Sequence, residues 1–194
     1  MIIGLTGAAR SGKDTVADYL VSRHGFSKSA FAFALRREVA ESFNINVDIL
    51  DIDKDIHSPL MNMDRCTDKE FASIMSGSMA HAVNGNFSPR KVMQLWGTEY
   101  RRSQDPDYWV NKVKDKVCDG RSWVISDLRF FNEYDILKSV GGAVIRIINP
   151  RLSVHVSAHS SEEFWKECKA DHDIVNDGSK EDLYNKLEQA LWKD

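Results

Sequence analysis

Gly7-Ala-Ala-Arg-Ser-Gly-Lys-Asp-Thr15, residues 7–15, lies between an apolar run and an amphipathic one, and its reading decides the fold. Gly7, Gly12 and Lys13 fit the phosphate-loop pattern GxxxxGK followed by Ser or Thr, except that Asp14 stands at the last position. Glycine at 7 and 12 permits backbone conformations that a side chain resists, so the loop can turn its N–H groups onto phosphate oxygens. The helix start that follows adds its partial positive charge. Lys13 is a mobile cation suited to β- and γ-phosphates. Gly7, Arg10, Ser11, Gly12, Lys13, Asp14 and Thr15 are therefore the candidate contacts to ATP. Asp14 departs from the hydroxyl that normally ligates Mg²⁺. A carboxylate there can hold the ion through water, and Thr15 can supply a hydroxyl one place later. The first arrangement is the expected one.

Working outward, Met1-Ile-Ile-Gly-Leu-Thr6 reads as a short buried strand and 13–23 as a helix with Val16, Ala17, Tyr19, Leu20 and Val21 on its apolar side. Gly25 marks its stop. A second strand is expected over 26–33 and a second helix over 34–43. Farther on, helices are expected over 89–96, capped by Ser88 with Pro89 in the first turn, over 107–118 and over 130–140. Strands are expected over 123–126, 143–148 and 173–175, and Ser179 caps a final helix that runs to Trp192. Strands alternating with helices imply an α/β fold, with a central parallel sheet and helices on both faces. The stretch 44–86 mixes acids, Met, Ser and Gly, with a helix expected over 68–83. It reads as an irregular, mobile insertion on the acceptor side of a single domain spanning 1–194.

The composition fits this reading. A chain of 194 residues suits one domain. With 42% hydrophobic and 28% charged residues it can bury a core, and a formal net charge of -3 calls for neither a nucleic acid polymer nor an anionic membrane. Cys66, Cys118 and Cys168 are odd in number and form no CxxC pair, which points to a reducing cytoplasm. The opening apolar run is too short for a signal peptide, and no stretch reaches membrane-spanning length. The absence of an NKxD-type guanine reader and the modest length leave a small-molecule kinase as the leading class.

Three further groups carry chemistry. Ser126-Asp127-Leu-Arg129 falls where an expected strand runs out, the side on which parallel sheets bind ligands. Asp127 can accept from a substrate or hold an ion through water, and Arg129 can clamp a phosphate with its planar fork. Spacing alone leaves an ordinary strand-end turn with a surface ion pair equally open. Glu133 either orients Arg129 or lies on a solvated helix face. Arg90 and Gln94 share one helix face, with Gly97-Thr98 expected to end that helix. They are grouped with Arg101, Arg102 and Trp109, although exposed arginines and core tryptophans are the commoner reading of such residues. Arg36 and Arg37 are expected to open the second helix, where a basic residue opposes the macrodipole and hints at an anionic partner. His159 and Glu162 are placed at a loop or helix start.

Residues 7–15, together with Arg90-Lys-Val-Met-Gln-Leu-Trp-Gly-Thr-Glu99, Asp107-Tyr-Trp-Val110, Ser126-Asp-Leu-Arg129, His159-Ser-Ser-Glu162 and Asn176-Asp-Gly-Ser179, resemble the bacteriophage deoxynucleoside monophosphate kinases in kind and order. The blocks span nearly the whole chain, and 44–86 carries none. The resemblance implies a P-loop kinase fold, MgATP as donor and a deoxynucleoside 5′-monophosphate as acceptor. By matched position it assigns Lys13 to the ATP phosphates, Asp127 and Arg129 to the transfer point, and Asn176 and Gly178 to the donor's adenine. Arg36, Arg90, Gln94, Gly97, Thr98, Arg102 and Trp109 fall to the acceptor. Arg36 stands where a lysine is familiar, which keeps the charge and changes the geometry. A lid is expected to exclude water, drawn from 44–86 or 151–167. A host cytoplasm is implied if the gene is a phage's, and a homodimer is left open. The opening Ile3-Gly-Leu-Thr-Gly7 is also similar to dephospho-coenzyme A kinases, and the GKD loop to animal phosphomevalonate kinases. A nucleotide-binding switch that transfers nothing is the rival of another class.

Overall fold

The computed structural model describes residues 1–52, 54–77, 82–152 and 164–192, and the side chains of these except Ser76 and Asp115. They fall into two compact units, Met1–Phe31 with Val110–Asp194, and Ala32–Trp109. His159 and Glu162 lie outside the described residues, as does most of the expected lid stretch 151–167.

The first unit is built on a five-stranded sheet. Its strands are β1 (Ile2–Thr6), β2 (Ser27–Ser29), β5 (Trp123–Ile125), β6 (Ala143–Ile148) and β7 (His172–Val175), in the order β2-β5-β1-β6-β7. Every pairing is parallel, with Ile3 opposite both Val124 and Ala143. β1 is thus the central strand. Ile3 and Leu5 face α1 (Lys13–His24) and α8 (Lys180–Trp192), where Val16, Ala17, Leu20, Leu183 and Leu187 close a fully apolar layer. Gly4 faces the other way, toward α6 (Phe131–Ser139). A Cβ on Gly4 would lie 2.5 Å from Leu137 Cδ2, so the glycine inside this strand is what lets α6 sit so close. Helices therefore cover both faces, as expected.

α1 stops as read: Gly25 is left-handed at φ 68, and the Phe26 N–H reaches back to Leu20 O at 3.2 Å. α8 starts on a reciprocal cap, with Ser179 N donating to Asp182 Oδ2 at 2.9 Å and Asp182 N to Ser179 Oγ at 3.2 Å. The second strand is shorter than expected. β2 ends at Ser29 and α2 (Phe31–Phe43) begins at once, because Asp127 Oδ1 accepts the Phe31 N–H at 2.8 Å and caps the new helix from a distant loop. Arg36 and Arg37 consequently lie in mid-helix, so they do not oppose the macrodipole at its start.

The second unit holds β3 (Ser58–Asn62) and β4 (Asn86–Phe87), an antiparallel pair, with α3 (Lys69–Ser76) and α4 (Pro89–Gln94). Among its described residues the stretch 44–86, read as irregular, thus carries strand β3, the start of β4, a helix and two 3₁₀ turns, Val47–Leu50 and Met63–Arg65. It also contributes Leu50, Met61, Phe71 and Met75, all fully buried. The helix expected over 68–83 starts as read, on Asp68 accepting from Phe71 N at 3.0 Å, but ends at Ser76. Val83 instead pairs with Asn86 across Asn84-Gly85, both at positive φ (51 and 75). Asn-Gly is the dipeptide that two-residue hairpin turns favour, and it outweighs helix propensity here.

Candidate functional site

At the C-terminal end of β1 the chain turns through residues 7–12 into α1. Gly7 has φ 138, and a Cβ there would lie 2.3 Å from the carbonyl oxygen of Ile147. Gly12 has φ 112, and a Cβ there would lie 2.6 Å from Asn176 Nδ2. Neither position admits a side chain. Arg10 is left-handed at φ 63, a strained conformation for a residue with a side chain and one that clusters at binding loops. Lys13 Nζ donates to Gly7 O at 2.8 Å and Ala8 O at 2.6 Å, so its ammonium folds over the loop. Thr6 and Ser11 are fully buried, and among the described residues their hydroxyls have no hydrogen-bond partner.

Asn176, which the resemblance assigns to adenine, donates its amide to Ser11 O at 2.8 Å and braces the loop from behind. Gly178 is exposed beside it, and the Arg151 guanidinium donates to the Asp177 carbonyl in the same turn. Asp14 lies in the first turn of α1 with its carboxylate 82% exposed, and the half-buried Thr15 follows. Among the described residues no group of three or more His, Cys, Asp or Glu could hold a metal. Magnesium needs no such cage: one or two protein oxygens suffice when phosphates and waters complete its shell. Asp14 and Thr15 fit that requirement.

The neighbouring strand β5 ends in the second candidate group. Leu128 N donates to Leu5 O at 3.0 Å, which ties this turn to the central strand. Asp127 caps α2, as described. Glu133 is 1% exposed, and its Oε2 accepts from Arg129 N at 2.8 Å and Phe130 N at 3.2 Å. It is therefore no solvated helix residue. It sets the backbone of the turn from which the exposed Arg129 projects.

In the second unit, α4 does not end at Gly97-Thr98. It continues as π-helix over Leu95–Arg102, with the freed Gly97 carbonyl accepting the Trp109 indole N–H at 3.0 Å. Gly97 is buried against Leu35, which explains why it sits in the helix instead of stopping it. Trp109, from α5 (Tyr108–Val117), is 3% exposed and acts as packing. Four residues overshoot one α turn and fall short of one π turn, so the two drifts offset each other. Arg90, Gln94, Thr98 and Arg102 thus run along a single face. Arg90 pairs with Asp55 and Arg102 donates to Pro106 O at 3.3 Å, while Gln94 is exposed. Arg36 Nη2 pairs with Asp51 Oδ1 at 3.1 Å.

A polar network that pattern reading missed sits behind this face. Glu38 on α2 accepts from Trp96 Nε1 at 3.2 Å, Arg101 Nε at 3.1 Å and Tyr108 OH at 2.6 Å. The Arg101 guanidinium lies 4.4 Å from the Tyr100 ring centroid and 3.7 Å from Asp68 Oδ2. Tyr100 OH donates to Asp68 and Glu70. Burial, and then the hydrogen bonds to carboxylates, push both Tyr100 and Tyr108 up to about 12. Nothing local announces the network, because its members come from four separate segments.

A phosphate loop after the central strand of an all-parallel, helix-covered sheet defines the α/β P-loop kinase fold. The family model for deoxynucleotide monophosphate kinase matches residues 49–187, well over half of the chain, so the protein belongs to that family. The matched range begins beyond the phosphate loop, which makes loop and family two separate observations. The deoxynucleotide monophosphate kinases of Enterobacteria phage T4 and Escherichia phage RB69 are 24% and 25% identical to this chain over 98% of its length, and the match covers 98% and 99% of theirs. A protein of Acanthamoeba polyphaga mimivirus, provisionally given the same name, is 28% identical over 96% of this chain and 94% of its own. A solved dephospho-CoA kinase from Campylobacter jejuni aligns over 97% of this chain and 96% of its own, with 15% identity and a TM-score of 0.45, too loose a likeness to bear on function.

Proposed function

We propose that this protein transfers the γ-phosphate of ATP to a deoxynucleoside 5′-monophosphate, giving ADP and the diphosphate. The observation that carries the reading is the phosphate loop, with its two positive-φ glycines and its lysine at the end of the central strand. In this reading the loop N–H groups and the start of α1 take the β- and γ-phosphates. Lys13 exchanges its carbonyl partners for phosphate oxygens. Arg129, held on a backbone that Glu133 fixes, offsets the repulsion between donor and acceptor anions. Asp127 supports the same turn by anchoring α2. Gly178 and its neighbours take the adenine, with Asn176 acting through the loop. Asp14, through water, and Thr15 would hold magnesium, which neutralises charge on the β- and γ-oxygens when bound.

Arg36, Arg90, Gln94, Gly97, Thr98 and Arg102 serve the acceptor, and Trp109 does so through Gly97. Transfer is an in-line attack by an acceptor phosphate oxygen through a loose transition state, so positioning and charge neutralisation dominate. The acceptor phosphate is already largely ionised at pH 7, its second pKa being about 6, and no general base is needed. Such substrates place the reaction in the cytoplasm.

A coupled ADP-release assay with MgATP tests this against every deoxynucleoside and ribonucleoside monophosphate, with dephospho-coenzyme A and phosphomevalonate alongside. Turnover with one or more deoxynucleotides is expected. Turnover with neither kind of nucleotide sinks the reading, and turnover with one of the other two acceptors replaces it. ATP binding without acceptor-dependent ADP release would instead favour a switch.

A further inference from the structure

The loop carries a carboxylate where its pattern has a hydroxyl, and the structure sets a cation against it. Asp14 and Asp18 stand four residues apart on α1 and so share a face. Lys28, in the middle of β2, reaches both: its Nζ lies 2.8 Å from Asp18 Oδ1 and 3.4 Å from Asp14 Oδ1. The Lys28 side chain is 27% exposed and that of Asp14 82%. Asp18, the shorter contact, anchors the ammonium, and the anchored ammonium faces Asp14.

A serine or threonine at position 14 would be neutral. Asp14 instead adds negative charge at the first turn of the helix that receives a polyphosphate. With a divalent ion present that charge is useful, and without one it repels the donor. We propose that Lys28 is a positioning residue of the donor site that acts through Asp14: it holds and screens this carboxylate, so that the loop accepts a nucleoside triphosphate before a metal neutralises it. The inference rests on the assignment of residues 7–15 to ATP.

Calorimetric titration of ATP into the full chain, in EDTA and again in excess Mg²⁺, tests it with wild type, Lys28→Gln, Lys28→Arg, Asp14→Asn and the Lys28→Gln/Asp14→Asn double variant. Thermal melts check that each is folded. In EDTA, Lys28→Gln is expected to weaken ATP binding about three- to fivefold, the range of a partly exposed ion pair. Lys28→Arg keeps most of the affinity, because it keeps the charge. In the Asp14→Asn background Lys28→Gln changes nothing, and in Mg²⁺ its effect falls below about twofold. Unchanged affinity of Lys28→Gln in EDTA overturns the inference. So does an equal loss in the Asp14→Asn background, which would make Lys28 a direct phosphate contact or a support for the fold. If wild type binds ATP in neither buffer, the donor-site assignment itself fails.

Discussion

The two compact units hold their functional positions by different means. In the unit of Met1–Phe31 and Val110–Asp194 the backbone does most of the holding. Gly7 and Gly12 leave no room for a Cβ, Leu128 N is bonded to Leu5 O, and Glu133 fixes the Arg129 turn through two main-chain N–H groups. In the unit Ala32–Trp109 side chains do it. Glu38 gathers donors from Trp96, Arg101 and Tyr108, and Asp68 gathers Tyr100 and Arg101. A backbone frame lets a reactive side chain be removed with the fold intact. A side-chain network couples the proposed acceptor residues to stability, because each member lost leaves others unpaired.

The sharpest way to break that contrast is to remove one side chain from each. Lys13→Ala is expected to lower kcat about 10²- to 10³-fold, the cost of losing one preorganised charge contact, while shifting the melting temperature little. Steady-state kinetics beside a thermal melt checks both halves, and near wild-type turnover would remove Lys13 from the chemistry. Glu38→Ala should do the reverse. It strands three donors in a partly buried site and is expected to cost about 3 kcal/mol of stability. That corresponds to roughly 5–10 °C in melting temperature, seen before any specific loss in kcat. Glu38→Gln keeps an acceptor and should recover part of the loss. If Glu38→Ala melts like wild type, the network does not hold the unit together.

The same contrast explains what could be read in advance. The first unit was legible because its signals are local: an apolar run, a glycine-spaced loop, and an amphipathic helix stopped by Gly25. Where a remote residue intervened, reading failed, as at α2, whose start is set by Asp127 from far along the chain. The second unit depends on such remote effects throughout. Gly97 resembles a helix stop, yet Trp109 supplies the donor that lets a π turn run through it. Glu38 and Arg101 look like surface residues of amphipathic helices, and only the fold brings them together. The Asn84-Gly85 turn is the exception, a local hairpin signal that the expectation of a long helix overrode. Of the site, the loop could be read from the residues alone. The proposed acceptor set rests on the family resemblance, and Lys28 gives no sign until the strands are in place.

The pH dependence sharpens the contrast further. Tyr100 and Tyr108 are each pushed up to about 12 by burial and then by hydrogen bonds to carboxylates. Their neutral forms are favoured in the folded state over an ordinary tyrosine near 10. Their stabilisation is therefore fully present below pH ~10 and is lost as pH rises through about 12. Once solvent screening is allowed for, the two together contribute about 2 kcal/mol. Denaturant midpoints measured from pH 8 to 11.5 should fall steeply at the alkaline end, and less steeply in Tyr100→Phe/Tyr108→Phe. In the first unit Asp171 works on the other side. Burial alone would raise its pKa, but the Val144 N–H and the Lys138 ammonium outweigh it and hold the carboxyl below the usual range. That contribution is present above the ordinary Asp value and fades as pH falls through the lowered one. A double variant whose alkaline profile matches wild type would disconnect the tyrosines from the network.

The smallest effect is the one that tests how far the backbone alone shapes the phosphate loop. Asn176 braces the loop from the turn after β7, by donating to Ser11 O at 2.8 Å. A single neutral, part-buried hydrogen bond of this kind contributes about 1 kcal/mol. Asn176→Ala should therefore cost about that much in stability, and it also opens space beside Gly12, whose missing Cβ now faces the amide. A loop free to relax loses part of its preorganisation for phosphate, so the KM for ATP is expected to rise about fivefold with kcat nearly unchanged. Because Gly7 and Gly12 have no side chain to oppose their positive φ, the variant should remain active. A collapse of kcat on the scale of Lys13→Ala would show that the loop is shaped by the side chain behind it, and the division between the two units would then be one of degree.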